Sequence, residues 1–213
     1  MIVAMKSIAR VLISVCLFAN AAAACASGVV VQVNDSNGKP VADAVVYLEG
    51  EGGNGGAKAP KPGQIEQRGQ KFIPLVTVVQ TGAKIWFPNN DRVKHHIYSF
   101  SPAKKFDQKL YSGVAAPPQV FDKPGTVVLG CNIHDRMLAY VKVVDTPYFA
   151  KTDADGVARI ELPGAGKYTA TVWHYNLQGA SPEQALQVKP GDAPTSAQFQ
   201  LALKPAVVDD AGH

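Results

Sequence analysis

The sequence predicts an all-β protein. Helix-period patterns are nearly absent, and short alternating apolar runs recur between clusters of Gly, Pro, Asn and Asp. Taken in order, the runs cover residues 29–33, 44–48, 76–79, 84–87, 97–100, 126–129, 138–144, 157–162, 168–173, 184–188 and 197–203. Each has the length of a strand and is bounded by turn residues. Many such strands in succession suit β-sandwiches or open barrels.

The first 26 residues stand apart from this pattern and read as an export signal. Lys6 and Arg10 form a positive region, and residues 11–24 are apolar except for Ser14 and Asn20. The Ala-rich run ending at Ala24 or Ala26 offers small-residue cleavage sites. The stretch is too short and too Ala-rich for a permanent membrane span. Cleavage after Ala24 would make Cys25 the first residue and a lipid attachment point, although Ala22 stands three residues earlier where such sites usually carry Leu. Cleavage after Ala26 leaves 187 of the 213 residues, enough for one large β domain or two small ones. Lys6 and Arg10 leave with the signal, so the formal charge falls from +4 to +2, too little to argue for nucleic acid. The expectation is an exported, periplasmic protein without a transmembrane span.

Two breaks divide the remainder. Residues 50–63 are dominated by Gly, Lys and Pro and read as a flexible connector. Thr146-Pro147 marks the second boundary. Outside these breaks, residues 28–49 read strand, Asp35-Ser36-Asn37-Gly38 turn, strand, and residues 151–173 read Asp153-Ala154-Asp155-Gly156 turn, strand, Pro163-Gly164 turn, strand. This turn grammar resembles the opening and closing signatures of the carboxypeptidase-regulatory-like domain, a small prealbumin-like β-sandwich. The resemblance implies a discontinuous domain, residues 27–59 and 147–205, with residues 60–146 inserted and residues 206–213 a disordered tail. The rival arrangement is one continuous sandwich in which residues 28–49 supply edge strands.

The chemistry concentrates in Gly130-Cys131-Asn132-Ile133-His134-Asp135-Arg136-Met137, a thiol, an imidazole and a thioether spaced C-x2-H-x2-M. Once the signal is removed, Cys131 is the only cysteine or one of two, which argues against an internal disulfide. Cys, His and Met together are the ligand set that soft, redox-active copper prefers. A further donor must come from elsewhere. The polar loop from Phe87 to Ile97 supplies it, ending in the paired imidazoles His95 and His96. Zinc would take Cys, His and carboxylate rather than thioether. Haem attachment would need C-x-x-C-H, which the chain lacks. A Cys-His nucleophile three residues apart on a tight turn leaves no room for a substrate.

Phe87-x-Asn89-x-Asp91-x3-His95, followed by Pro124-Gly125 and then Cys131-x2-His134-x2-Met137, resembles the cupredoxin family of blue copper proteins. Two residues between His and Met are similar to amicyanin, where plastocyanins have four. The resemblance spans roughly residues 72–144 and implies a Greek-key β-sandwich holding one type 1 copper ion. His95, Cys131 and His134 would be the trigonal ligands and Met137 the weak axial one. Cupredoxins usually place Asn after the first His and Ser or Thr after the Cys; here those positions hold His96 and Asn132. That departure leaves His96 as an alternative ligand, and suggests a swap in which the Asn132 amide ties the two ligand loops together. Over its whole length the chain resembles exported proteins labelled methylamine-utilisation proteins.

The implied function is single-electron transfer, without enzymatic activity of its own. Only His174 and His213 remain beyond the ligand loops, too few for the additional copper centres of oxidases and nitrite reductases. A different class, copper delivery or sensing, would use the same donors. Residues 91–137 hold seven Lys or Arg against four Asp, so positive charge gathers around the copper module. That distribution suits an acidic redox partner such as a c-type cytochrome or a periplasmic dehydrogenase.

Overall fold

The computed structural model describes residues 27–51, 59–111, 117–191 and 193–205. The expected signal with Cys25, residues 52–58 of the Gly-rich connector and the tail at 206–213 lie outside the described residues. Among the described residues every regular element is a strand, and no helix is long and apolar enough to cross a membrane. In chain order they are β1 (Ser27–Asp35), β2 (Val45–Gly50), β3 (Gly63–Gln64), β4 (Glu66–Arg68), β5 (Lys71–Ile73) and β6 (Val76–Gln80). The central stretch continues with β7 (Ala83–Trp86), β8 (His95–Ser101), β9 (Lys104–Tyr111), β10 (Gln119–Phe121), β11 (Gly125–Cys131) and β12 (Leu138–Val144). The chain closes with β13 (Phe149–Lys151), β14 (Val157–Leu162), β15 (Gly166–Trp173), β16 (Glu183–Val188) and β17 (Thr195–Leu201).

Strand alternation builds two separate cores. On β1, Val29, Val31 and Val33 turn inward and meet Ala158, Ile160 and Leu162 of β14 and Ala197, Phe199 and Leu201 of β17. The opposing sheet, ordered β13-β2-β15-β16, contributes Val46, Leu48, Ala170, Val172, Leu186 and Val188. Here β1 lies between β14 and β17, so residues 27–35 form the central strand of this sheet. The second core lies between the sheet β6-β12-β11-β8-β9 and the sheet β10-β7-β3. In it the chain runs from β9 to β10 in the facing sheet and returns as β11 beside β8, a Greek-key connection.

The expected strands all appear, with ends shifted by up to two residues. Six further strands carry no clear alternation in sequence: β3, β4, β5, β9, β10 and β13. Part of the expected connector is ordered structure. Gly63 and Gln64 pair in parallel with Ile85 and Trp86, and a Cβ at Gly63 would meet Ile85 and Val79 side chains at 3.4 Å. The boundary at Thr146-Pro147 is pinned rather than loose. Buried Thr146 donates its hydroxyl to the Leu48 carbonyl at 2.6 Å and accepts the Tyr148 amide at 3.1 Å. The two cores meet through a third cluster, in which Val45 and Trp173 pack on Val76. Tyr140 and Tyr175 stack across it at 4.9 Å, and burial beside Tyr47 and Trp173 lowers the pKa of Lys142.

The two Asp-x-x-Gly turns share one hydrogen-bond pattern. Asp35 Oδ1 accepts the amides of Asn37 and Lys39, and Asp153 Oδ1 accepts those of Asp155 and Val157. Both glycines sit at positive φ, 78° at Gly38 and 73° at Gly156. Their surroundings differ. A Cβ at Gly156 would lie 2.5 Å from the Val33 carbonyl oxygen, whereas one at Gly38 meets nothing within 4 Å. Gly38→Ala should therefore cost about 1 kcal/mol of backbone strain, and Gly156→Ala about 2–4 kcal/mol, because strand backbone must also move. Urea unfolding of the two variants checks the order; equal losses would show that the close approach at Gly156 is unimportant.

Candidate metal centre

Strand pairing places the donors. Cys131 ends β11 and pairs with Ile97 of β8, one residue after Gly130 pairs with Tyr98. Along β11, Val127, Leu129 and Cys131 face inward; along β8, His95, Ile97 and Ser99 do so. His95 and Cys131 thus enter the same interior from adjacent strands. The register of β8 against β9 shifts between His95 and Ile97, an irregularity of the sort that re-aims a side chain at the end of a sheet. Beyond Cys131 the chain reverses twice, and the Met137 amide donates to the His134 carbonyl at 2.9 Å. That turn brings His134 back over Cys131 and sends Met137 into the core beside it, 1% exposed.

The outcome is a compact set of donor atoms. Cys131 Sγ lies 3.7 Å from His95 Nδ1 and 3.7 Å from His134 Nδ1. One donor atom from each of the three residues lies within 4.8 Å of the others. A metal bonded to sulfur at about 2.3 Å and to nitrogen at about 2.0 Å, with a trigonal angle, separates those two donors by about 3.7 Å. The spacing fits a small metal ion held by two imidazoles and a thiolate. It fits nucleophilic catalysis poorly, because Cys131 is 4% exposed and offers a substrate no approach. The His95 and His134 rings are 5.0 Å apart and tilted by 54°, so they converge on the sulfur from different directions.

Adjacent histidines have opposite fates, as strand alternation requires. His95 is completely buried, while His96 points outward and its Nε2 pairs with Asp107 of β9. The expected Asn132 swap is not what joins the loops. Asn132 is exposed, and the tie is a backbone bond, its amide donating to the His96 carbonyl at 3.1 Å. The buried amide of the region is Asn89, which donates to the Val93 carbonyl at 2.9 Å and accepts the Asp91 amide at 2.9 Å. His174 follows β15, 4.3 Å from the Tyr175 ring, and its burial lowers its pKa. His213 lies outside the described residues.

Asp91 belongs to the site although sequence reasoning gave it no role. Its Oδ2 lies 2.7 Å from His95 Nε2, the ring nitrogen facing away from Cys131. Burial would raise the carboxyl pKa, but hydrogen bonds from the Gln70 amide, the His95 ring and the Gly69 amide together lower it below its ordinary value. The signal was the spacing itself, an Asp four residues before a His.

No protein-family model matches the sequence, and no curated protein does. Parts of the chain are similar to solved copper proteins. A purple cupredoxin from Nitrosopumilus maritimus is 22% identical over 38% of this chain and 99% of its own, with a TM-score of 0.35. A Cu-containing nitrite reductase from Thermus scotoductus SA-01 is 22% identical, with a TM-score of 0.37; the match covers 39% of this chain and 22% of that enzyme. A pseudoazurin from Sinorhizobium is 17% identical over 41% of this chain and 76% of its own, with a TM-score of 0.33.

Proposed function

We propose that this protein is an exported, periplasmic type 1 (blue) copper protein that passes single electrons between redox partners and is not itself an enzyme. The observation supporting this is the triangle formed by Cys131 Sγ and the Nδ1 atoms of His95 and His134. In this proposal those three residues are the trigonal ligands of one copper ion and Met137 is the axial donor. Residues 60–146 form the copper-carrying domain, and residues 27–59 with 147–205 form a carboxypeptidase-regulatory-like, prealbumin-like domain.

Copper bound there would take up and release one electron at a time. The protein's part is to keep the donors still while that happens. His95 and Cys131 sit on paired strands of one sheet, and the His134–Met137 turn is closed by its own backbone bond. A thiolate and two imidazoles satisfy both oxidation states, and a weak thioether does not compete for the oxidised ion. Delivery or sensing would use donors open to an acceptor. The burial of His95 and Cys131 favours retention instead.

Electrons would pass through the His134 edge. His134 is only partly buried, and Ile133 and Leu138 beside it are exposed apolar side chains, 48% and 44%. An apolar contact in a domain whose residues 91–137 carry an excess of Lys and Arg suits a partner with acidic groups around its own redox centre.

Copper-loaded protein should be intensely coloured, Cys131→Ser should abolish the colour, and Met137→Leu should keep it with a raised potential. Visible spectroscopy and voltammetry check this, and a colourless wild-type complex would contradict it. His95→Ala should lose the coloured site while His96→Ala keeps it; the reverse pattern would move the ligand to His96. Electron-transfer rates to an acidic c-type cytochrome should fall as salt rises, and Arg136→Glu should slow them at low salt. Rates indifferent to both would leave the apolar edge alone to select partners.

A further inference from the structure

We infer that Asp91 is a positioning residue that fixes which nitrogen of His95 faces the metal and biases the site toward the oxidised ion. The inference rests on the proposal that His95 is a metal ligand. Its warrant is the chain of contacts behind that imidazole.

His95 has two ring nitrogens and both are engaged. Nδ1 faces Cys131 Sγ, and Nε2 lies 2.7 Å from Asp91 Oδ2. An ionised carboxylate only accepts, so Nε2 carries the hydrogen, and Nδ1 is the nitrogen left to offer a lone pair to a metal. Asp91 is held in turn. Its Oδ1 accepts the Gly69 amide at 2.6 Å, and its Oδ2 accepts the Gln70 amide at 3.0 Å as well as the His95 ring. Gly69 and Gln70 are the two-residue turn between β4 and β5, with φ of 62° and 55°. Successive amides in that left-handed conformation form a small concavity suited to an anion. Gln70 adopts it without being a glycine. The hairpin is itself strapped to the ligand loop, since the Gln67 amide donates to the Pro88 carbonyl and the Asn90 amide to the Gln67 carbonyl, both at 2.9 Å.

A carboxylate on the far nitrogen makes an imidazole a stronger donor and places negative charge near the metal. Both effects favour Cu(II) over Cu(I). Asp91→Asn keeps an oxygen that accepts from Nε2 but removes the charge. The expected result is a coloured, folded variant whose Cu(II)/Cu(I) affinity ratio shifts about tenfold toward Cu(I), a rise in potential of about 59 mV for a one-electron couple. Asp91→Glu should restore part of the wild-type value. An unchanged potential in a folded, coloured Asp91→Asn protein would overturn the inference and leave Asp91 as a tether for the hairpin.

A second measurement holds even if the variants do not fold. In the metal-free wild-type protein, nitrogen NMR should find His95 with the proton on Nε2, slow to exchange and shifted downfield by its carboxylate partner. A proton on Nδ1 would overturn the inference. Because this readout needs no metal, it separates failure of the Asp91 role from failure of the copper proposal, which a colourless wild-type complex would signal.

Discussion

The site depends on one strand pairing. Where β11 meets β8, the register sets Cys131 against Ile97, and strand alternation then points Cys131 and His95 into the same interior. A slip of one residue would turn the thiol to solvent and bring Gly130 inward in its place. That register is reinforced by fit. The Tyr98 ring lies so close to Gly130 that a Cβ there would meet it at 2.7 Å, so a bare backbone is needed one residue before Cys131. Val127 and Leu129 of β11 and Ile97 of β8, all buried in one core, hold the same alignment.

The remaining donors are placed by local devices that lean on this frame. His134 returns through a hydrogen-bonded turn and Met137 is carried into the core by the same turn. His95 is steadied from behind by Asp91, which rests on the β4–β5 turn. The other core lies away from these contacts and touches the half that holds the donors through Val45, Trp173 and Tyr175 against Val76 and Tyr140. That contact uses outward side chains of β6 and β12 and leaves Ile133 and Leu138 exposed beside His134.

Much of this was legible in the sequence because it is written in local terms. The C-x2-H-x2-M spacing needs only one loop, and β-branched alternation marks strands such as β1, β12 and β14 wherever one face is buried. The Asp-x-x-Gly turns were visible for the same reason: an Asp that caps its own turn and a Gly at positive φ are contained within four residues. What stayed hidden depends on distant partners. In β9 (Lys104–Tyr111) the run Lys-Lys-Phe-Asp-Gln-Lys has too few apolar residues to declare a strand, and it forms because β8 offers it an open edge. Gly63 looked like linker because its strand character comes wholly from pairing with β7. Asn132 was expected to bridge the loops by its side chain, but the backbone does so, and backbone bonds leave no mark on residue identity. Asp91 stood in the motif without a role, since nothing in the spacing tells which nitrogen of His95 faces outward.

The central claim is that Cys131, His95 and His134 hold one copper ion among them. X-ray absorption at the copper edge tests it most directly, on protein loaded with one equivalent and measured in both oxidation states. The account predicts one short copper–sulfur vector and two copper–nitrogen vectors, changing little on reduction because the donors are held by the strands and the closed turn. A shell of nitrogen and oxygen alone, with no short sulfur, would contradict it.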